Sequence, residues 1–172
     1  ALEAGAGART LLTRAAAAWA DRAGGTSGAL WGLILRSIAA ELSDSEEPSA
    51  PAIAAGVASG RESVMSVGGA ALGDKTMVDA LVPFADTLTQ RVDDGAPLAQ
   101  AWRAAADAAT RGAESTTDLV PRLGRAKTHG DKAVGSPDPG AVSFATIARA
   151  IADSLDNHST NTHSTNDDEE KS

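Results

Sequence analysis

The stretch Lys75–Asp93, KTMVDALVPFADTLTQRVD, decides the class of fold. Its large apolar residues recur every three or four positions, at Met77, Leu81, Phe84, Leu88 and Val92. This is the period of an α-helix with one apolar face, so the stretch predicts an amphipathic helix at about 75–93. Pro83 falls inside it, where proline removes a backbone hydrogen bond or bends the helix.

Five further segments show helical spacing of apolar residues on either side of this stretch. They predict helices at about 8–22, 28–42, 51–66, 96–119 and 140–155. No segment of useful length alternates between apolar and polar residues with period two, so no strand is predicted. The sequence therefore predicts an all-α fold, a barrel or bundle of antiparallel amphipathic helices.

Composition supports a single helical domain. The chain has 172 residues, of which 42% are hydrophobic and only 3% aromatic, and alanine carries much of the hydrophobic share. Alanine is the strongest helix former, and its small side chain lets helices approach closely. A chain of this length suits one domain with a sizeable core.

Charge and hydropathy exclude several classes of partner. The net charge is −8 and the isoelectric point is near 4.8, which argues against a surface that binds nucleic acid. No stretch reaches the roughly 18 apolar residues of a membrane span, so no membrane association is expected. The chain has no cysteine, which fits a cytoplasmic location, and that is what we expect.

The C-terminal segment differs in composition from the rest. Residues 158–172 read HSTNTHSTNDDEEKS, with HSTN occurring twice and no apolar residue to bury. We predict a helical domain at 1–156 and a disordered polar and acidic tail at 157–172. The two tail histidines suggest a metal site less strongly than they suggest a solvated segment.

Two glycine-containing segments precede predicted helices. GGTSG at 24–28 offers glycines and hydroxyls at a helix N-terminus, where free N–H groups attract anions. The same residues also suit a plain glycine helix end followed by a serine cap. In GDKTMVD at 73–79, Asp74 suits an N-cap, and Met77 suits either the core or an apolar contact to a flat ring.

The segment GRAKTHGDKAVGSPDPGAV at 124–142 is too long to be an ordinary connection. Loops beyond about 12–15 residues are uncommon unless they are functional or disordered. Arg125 offers a planar group for phosphate or a base, and 138–140 predicts a rigid turn into the last helix. His129 has no evident nucleophile partner, so a solvent-facing residue is the better interpretation.

Taken together, these three segments resemble the nucleotide-binding domain of the dihydroxyacetone kinases. GGTSGALWG, GDKTMVDAL and GRAKTHGDKAVGSPDPGAV occur in that family's order and spacing, and the resemblance covers about residues 1–155. It implies a barrel of antiparallel helices that binds ADP or ATP at one end through the connecting loops. About six of an expected eight helices are present here.

The resemblance implies roles for individual positions. Thr26 and Ser27 would contact the phosphates, Gly68 and Met77 would line the adenine pocket, and Arg125 with 138–140 would close over the nucleotide. The full set of implied nucleotide-binding residues is Gly25, Thr26, Ser27, Gly28, Gly68, Asp74, Met77, Arg125, Asp138, Pro139 and Gly140.

One departure from the family concerns magnesium. Family members hold two magnesium ions through an aspartate cluster resembling GDxDHG, and this sequence contains no such run. We expect the ligands upstream of Ala1, in a longer kinase subunit of which this chain is the C-terminal portion. No catalytic residue and no metal ligand is therefore assigned within it, and the chain alone is expected to be inactive.

The resemblance implies a kinase that phosphorylates a short keto-sugar such as dihydroxyacetone. The sugar would lie on a partner domain or subunit, and the phosphate would come from ATP or from a phosphotransferase-system phosphoprotein acting through bound ADP. Two alternatives remain open. One is a non-catalytic module that binds a nucleotide or another ligand, and the other is a helical interaction domain whose glycine segments only end helices.

Overall fold

The computed structural model describes residues 5–123 and 133–166, with side chains as far as residue 158. This part of the chain contains six α-helices, one short 3₁₀ turn and no strand, which confirms the all-α prediction. The helices are α1 (Ala8–Ala23), α2 (Gly25–Glu41), α3 (Ala50–Gly68), α4 (Val78–Asp93), α5 (Leu98–Ser115) and α6 (Pro139–Asn166), and the 3₁₀ turn is Thr116–Asp118.

Successive helices pack side by side and run antiparallel. Between α5 and α6, for example, Arg103 pairs with Asp156 while Asp107 pairs with Arg149. Three junctions therefore lie at one end of the bundle, which we call the loop end: Gly24, 69–77 and 116–138. The junctions at 42–49 and 94–97 form the opposite end.

Helix α4 lies at the centre of the core, where it packs against α3, α5 and α6. Its apolar stripe is buried as the spacing predicts, with Leu81, Phe84 and Leu88 almost without solvent contact. Helix α5 meets it with a face of alanines, so the two backbones approach closely. At Gly112 of α5, a Cβ atom would overlap the backbone oxygen of Asp79.

The chain's five aromatic rings form one continuous row across the bundle. Its ring-to-ring contacts run from α1 through α2, α6 and α4 to α5, with centroid separations of 5.0–5.7 Å. The members, in order, are Trp19, Trp31, Phe144, Phe84 and Trp102. The indole N–H of Trp102 ends the row by donating to the backbone oxygen of Ala148 at 2.9 Å.

Two helix bounds differ from the prediction in ways that matter. Helix α2 begins at Gly25, so the predicted GGTSG loop is instead the first helical turn after a one-residue junction. Gly24 and Gly25 have φ of 59° and 62°, a region that glycine enters without steric cost, and this lets the chain reverse so sharply.

Helix α6 continues to Asn166, which includes residues 157–166 of the segment predicted to be a disordered tail. No glycine or proline follows Gly140, so nothing in the backbone chemistry stops the helix. The division into a domain at 1–156 and a tail stays a prediction, and 167–172 lies outside the described residues. No helix of the described part is long and apolar enough to span a membrane.

Candidate functional site

The first turn of α2 lies at the loop end with its polar groups in solvent. Gly25, Thr26 and Ser27 are exposed, while Gly28 is buried because α1 passes close behind it. A Cβ at Gly28 would stand 3.3 Å from Ala23, tighter than ordinary packing. Two hydroxyls therefore accompany the positive end of the α2 dipole, an arrangement that suits an anion.

Gly68, the last residue of α3, lies beside this turn. A Cβ placed on it would be 4.0 Å from the Leu30 side chain of α2, so the two helix ends are in contact distance. Gly69 follows in the left-handed conformation, with φ 61°, and its N–H donates to the Met65 oxygen at 2.9 Å. This C-cap turns the chain directly into the segment before α4.

The segment 69–77 is held by two carboxylates. Asp74 accepts the N–H of Ala71 at 2.9 Å and so closes its own loop, whereas the sequence suggested that it caps the next helix. No side chain caps α4, and Asp79 instead reaches back to the same segment: its two oxygens accept the N–H groups of Gly73 at 2.5 Å and Thr76 at 2.8 Å. Asp79 lies in the first turn of α4, one residue after the start.

Lys75, between these carboxylates, is the residue that sequence reasoning missed. It is only 3% exposed, and its ammonium donates to the backbone oxygens of Thr117 at 3.3 Å, Leu119 at 3.0 Å and Ala133 at 2.8 Å. The only sequence signal was a lysine two residues before an apolar stripe, a position at which lysine is usually exposed.

At the entry to α6, the segment 138–140 predicted to be a rigid turn is a capped helix start, because Pro139 and Gly140 already belong to the helix. The N–H of Asp138 donates to the buried Thr116 hydroxyl at 2.7 Å, and its carboxylate accepts the Ala141 N–H at 2.8 Å. Asp138 is thus the N-cap, and Pro139 occupies the first helical position, which proline favours. A Cβ at Gly140 would lie 3.5 Å from Cβ of Met77, so these two predicted residues are neighbours.

Burial raises the pKa of the Asp138 carboxyl above its usual value. The N–H groups of Ala141 and Gly140 oppose this by stabilising the ionised form. Among the charges, the carboxylate of Asp79 raises the pKa further and the ammonium of Lys75 lowers it. These ionisable groups therefore act on one another across the loop end.

The structure gathers the predicted residues into two groups. Thr26, Ser27 and their glycine neighbours join Gly68 on the α2–α3 side, and Met77 joins 138–140 on the α4–α6 side. The Trp31–Phe144 contact, with centroids 5.4 Å apart, connects α2 to α6 between them. Arg125 and His129 lie outside the described residues.

Two open grooves adjoin the loop end. One, of about 260 Å³, runs between α5 and α6 and is lined by Thr117 and Pro137 next to the α6 entry. The other, of about 350 Å³, lies between α3 and α4 and is lined by Met65, Leu72 and Val82. Both grooves flank the loops, and neither is lined by a predicted nucleotide-binding residue.

Magnesium, which the resemblance implies, finds no ligand set in the described part of the chain. No group of three or more histidine, cysteine, aspartate or glutamate residues at 5–123 and 133–166 is arranged to hold a metal ion. Asp79 and Asp138 are instead engaged by backbone N–H groups. These residues do not fit a magnesium site by themselves.

Residues 1–153 match the DAK2 domain family. The chain is 49% identical over 163 residues to an L-erythrulose kinase of Pectobacterium atrosepticum, which covers 95% of the chain but only 28% of the relative. It is 32% identical to the ADP-binding subunit DhaL of PEP-dependent dihydroxyacetone kinase 2 of Listeria innocua, covering 85% of the chain and 67% of the subunit.

A solved structure agrees with these relatives. The dihydroxyacetone kinase of C. freundii, in its complex with AMP-PNP and Mg²⁺, superposes with a TM-score of 0.55 at 29% identity. The superposition covers 85% of this chain and 23% of that one. The chain thus spans about a quarter of the kinases it matches. With the family match over nearly its whole length, the chain belongs to the DAK2 domain family, the helical domain shared by dihydroxyacetone-type kinases.

Proposed function

We propose that this chain is the ADP- or ATP-binding domain of a kinase that phosphorylates a short keto-sugar. The DhaL relative is named as an ADP-binding subunit, and the C. freundii kinase was solved with an ATP analogue and Mg²⁺. Both similarities extend over 85% of this chain. They support nucleotide binding as the task of this domain.

One observation carries the proposal: Met77 and Gly140 are neighbours although 63 positions separate them. Each belongs to a different segment of the resemblance, GDKTMVD and DPGA, and the fold brings both to the loop end. A helical interaction domain whose loops only end helices would not need the two segments to meet. We assign them to the base side of the nucleotide, with Gly68 on the facing side.

The phosphates belong at the first turn of α2 in this proposal. Thr26 and Ser27 present exposed hydroxyls there, and the helix dipole favours negative charge at the same place. Arg125 would approach from the segment after α5 as the resemblance implies. Asp74 shapes the loop through its bond to Ala71, so its contribution is to the wall of the site.

Phosphoryl transfer depends mainly on positioning and on neutralising charge. Within that scheme this domain holds and orients the nucleotide through its loop end. Magnesium, when bound, would bridge phosphate oxygens and offset their charge, but the described residues do not supply its ligands. The keto-sugar is assigned to a separate substrate-binding domain or subunit.

The substrate class is a keto-sugar of three or four carbons. The sequence resemblance suggested dihydroxyacetone, while relatives in P. atrosepticum and Mycolicibacterium smegmatis are named erythrulose kinases. At 49% and 48% identity these are more similar to the chain than DhaL is, which favours the four-carbon sugar.

Calorimetric titration with ADP tests the proposal. We expect the wild-type chain to bind, and Ser27→Ala to weaken binding about ten- to hundredfold, because a hydrogen bond to a charged phosphate contributes about 1.5–3 kcal/mol. Ser45→Ala, an exposed serine at the opposite end, is the matched control and should leave affinity unchanged. A folded wild-type chain that does not bind ADP would contradict the proposal, as would equal affinities of all three proteins.

A further inference from the structure

We infer that Lys75 is a positioning residue of the nucleotide site: its ammonium fastens both flanks of the segment after α5 to the segment before α4. The inference rests on the proposed function, since it states what keeps the two walls of that site together. Lys75 would act through the backbone it holds and would not touch the nucleotide itself.

The backbone at Lys75 gives the first argument. Its φ is 60°, and it is the only non-glycine residue with positive φ in the described part of the chain. Residues with a Cβ are strained in this conformation, which glycine adopts freely, as Gly73 does two positions earlier with φ 90°. A strained position that keeps a long charged side chain indicates that the side chain is needed there.

The side chain gives the second argument. An ammonium group has three N–H donors, and three backbone oxygens surround this one at 2.8–3.3 Å. Lysine is almost never fully buried unless it is paired, so these oxygens account for its position. With all three donors engaged inside the protein, none is left to bind phosphate.

The positions of the three oxygens along the chain give the third argument. Thr117 and Leu119 precede residues 120–132, whereas Ala133 follows them, so one ammonium joins both flanks. The Thr117 oxygen also accepts the N–H of Gly135 at 2.9 Å. The part of the chain that returns toward α6 is thereby fixed at Gly135, a few residues before Asp138.

The consequence falls on the α6 entry. From Gly135 the chain runs directly to Asp138, whose N–H is bonded to Thr116. Lys75 therefore sets where the turn 138–140 begins, and its own neighbour Met77 forms the facing wall. Removing the ammonium would take the donor from the oxygens of Leu119 and Ala133, leave the Thr117 oxygen with the Gly135 N–H alone, and loosen one wall relative to the other.

The chain offers a direct test because it has no cysteine. Lys75→Cys creates a unique thiol, which is alkylated in denaturant before refolding. With 2-bromoethylamine, the thiolate sulfur displaces bromide and the new side chain carries an ammonium at nearly the lysine length. With iodoacetamide, the sulfur displaces iodide and the side chain is neutral.

Two readouts separate the role of Lys75 from the proposed function. One is ADP affinity by calorimetry, and the other is the rate at which an arginine-specific protease cuts after Arg122, which lies between the held oxygens. We expect the neutral product to bind ADP about tenfold more weakly and to be cut about tenfold faster than wild type. The aminoethyl product should recover both values.

Arg9→Met is the matched control. Arg9 also donates to backbone oxygens, those of Leu42 at 2.6 Å and Ala40 at 3.3 Å, but at the opposite end. It should change neither readout. If the alkylated chains do not refold, Lys75→Gly replaces them, since it removes the ammonium while relieving the backbone, and it should behave as the neutral product does.

Each outcome decides one statement. Equal cleavage after Arg122 in the neutral and aminoethyl products overturns the fastening role of Lys75, even where ADP binds normally. Faster cleavage without weaker ADP binding overturns its role at the nucleotide site. A folded wild-type chain that binds no ADP contradicts the proposed function, and the nucleotide role of Lys75 falls with it, while the cleavage rates still decide the fastening.

Discussion

The two ends of the bundle are held together by different chemistry. Every buried polar or charged side chain in the described part of the chain lies at the loop end: Lys75, Asp79, Thr116 and Asp138. At the opposite end, Asp44 bonds the N–H and hydroxyl of Thr10, and Ser49 accepts the N–H of Ala52, all in exposed positions. Both ends hold their connections with side-chain hydrogen bonds, but only the loop end buries charged groups to do so.

This difference indicates where the molecule is specialised. Burying an ionised group is unfavourable unless several hydrogen bonds compensate, and exposed caps would close a loop at less risk. The opposite end uses that simpler solution. The loop end instead fixes long segments through groups whose loss would be severe, which fits a site whose walls must keep a set geometry.

The largest difference in stability loss between the two ends is expected from substituting one glycine at each end. A Cβ at Gly112 would overlap the backbone of Asp79, and a Cβ at Gly7 would overlap the backbone of Asp44. Gly112→Ala should lower the free energy of unfolding by about 3 kcal/mol, because two core helices must separate. Gly7→Ala should lower it by about 1 kcal/mol, because α1 buries only Ala16 and can shift.

Urea denaturation of both variants measures this difference. The slope of the unfolding free energy with urea should stay constant, so that a change in midpoint reports stability alone. Equal losses at the two glycines would mean that the ends are equally rigid, and the comparison would lose its structural basis.

A smaller difference is expected from two matched aspartates. Asp79 and Asp44 each accept two hydrogen bonds, but Asp79 is 4% exposed and Asp44 is exposed. Asp79→Ala should destabilise the fold by about 2–3 kcal/mol, since two backbone donors lose their partner in a buried setting. Asp44→Ala should destabilise it less, because water replaces the carboxylate.

Thermal unfolding followed by circular dichroism compares the aspartate pair. The melting temperature of Asp79→Ala should fall clearly further below wild type than that of Asp44→Ala. The reverse order would show that the exposed contact between α1 and the α2–α3 connection matters more to the fold than the buried one.

The smallest difference concerns the pH dependence of stability, and a carboxyl at each end changes it in the opposite direction. Burial raises the pKa of Asp138 above its usual 3.8, so the folded state binds its proton more tightly than the unfolded state does. Its contribution to stability therefore falls as pH rises from that value through the raised pKa. Hydrogen bonds from Thr10 lower the pKa of Asp44, so its contribution is lost as pH falls below 3.8.

Asp138→Asn and Asp44→Asn isolate these two effects, since each amide keeps the shape without the titration. Unfolding free energies between about pH 3 and pH 7 should show wild type losing ground to Asp138→Asn as pH rises. Over the same range, wild type should gain on Asp44→Asn. Parallel curves for a variant and wild type would mean that the carboxyl in question has the same pKa in both states.

Sequence reasoning predicted what depends on local pattern. The apolar period of α4, the alanine-rich α5 and the start of α6 after Asp138 are encoded within a few residues, and all three are present. The burial of Lys75 was not predictable, because its three acceptors lie 42, 44 and 58 residues away. No periodicity in a single sequence reports such contacts.

The predictions of where α2 starts and of which residue caps α4 were wrong for a related reason. Glycine-rich sequence around Gly25 favours a loop when judged alone, but packing of α2 against α1 and α3 extends the helix through it. Asp74 suits an N-cap by its position, but in the folded loop its carboxylate accepts the N–H of Ala71, and no side chain caps α4. The roles implied for Arg125 and the other nucleotide-binding positions stay predictions.

The row of aromatic rings has an optical consequence. The ring centroids of Trp19 and Trp31 lie 5.7 Å apart with their planes inclined by 44°. Each of the remaining rings is also in contact with the next ring in the row. At such separations the electronic transitions of the rings couple, so excitation energy is shared along the row. The near-ultraviolet circular dichroism of the folded protein would then carry a signal of the α1–α2 angle, and Trp19→Leu would remove it with little change in helix content.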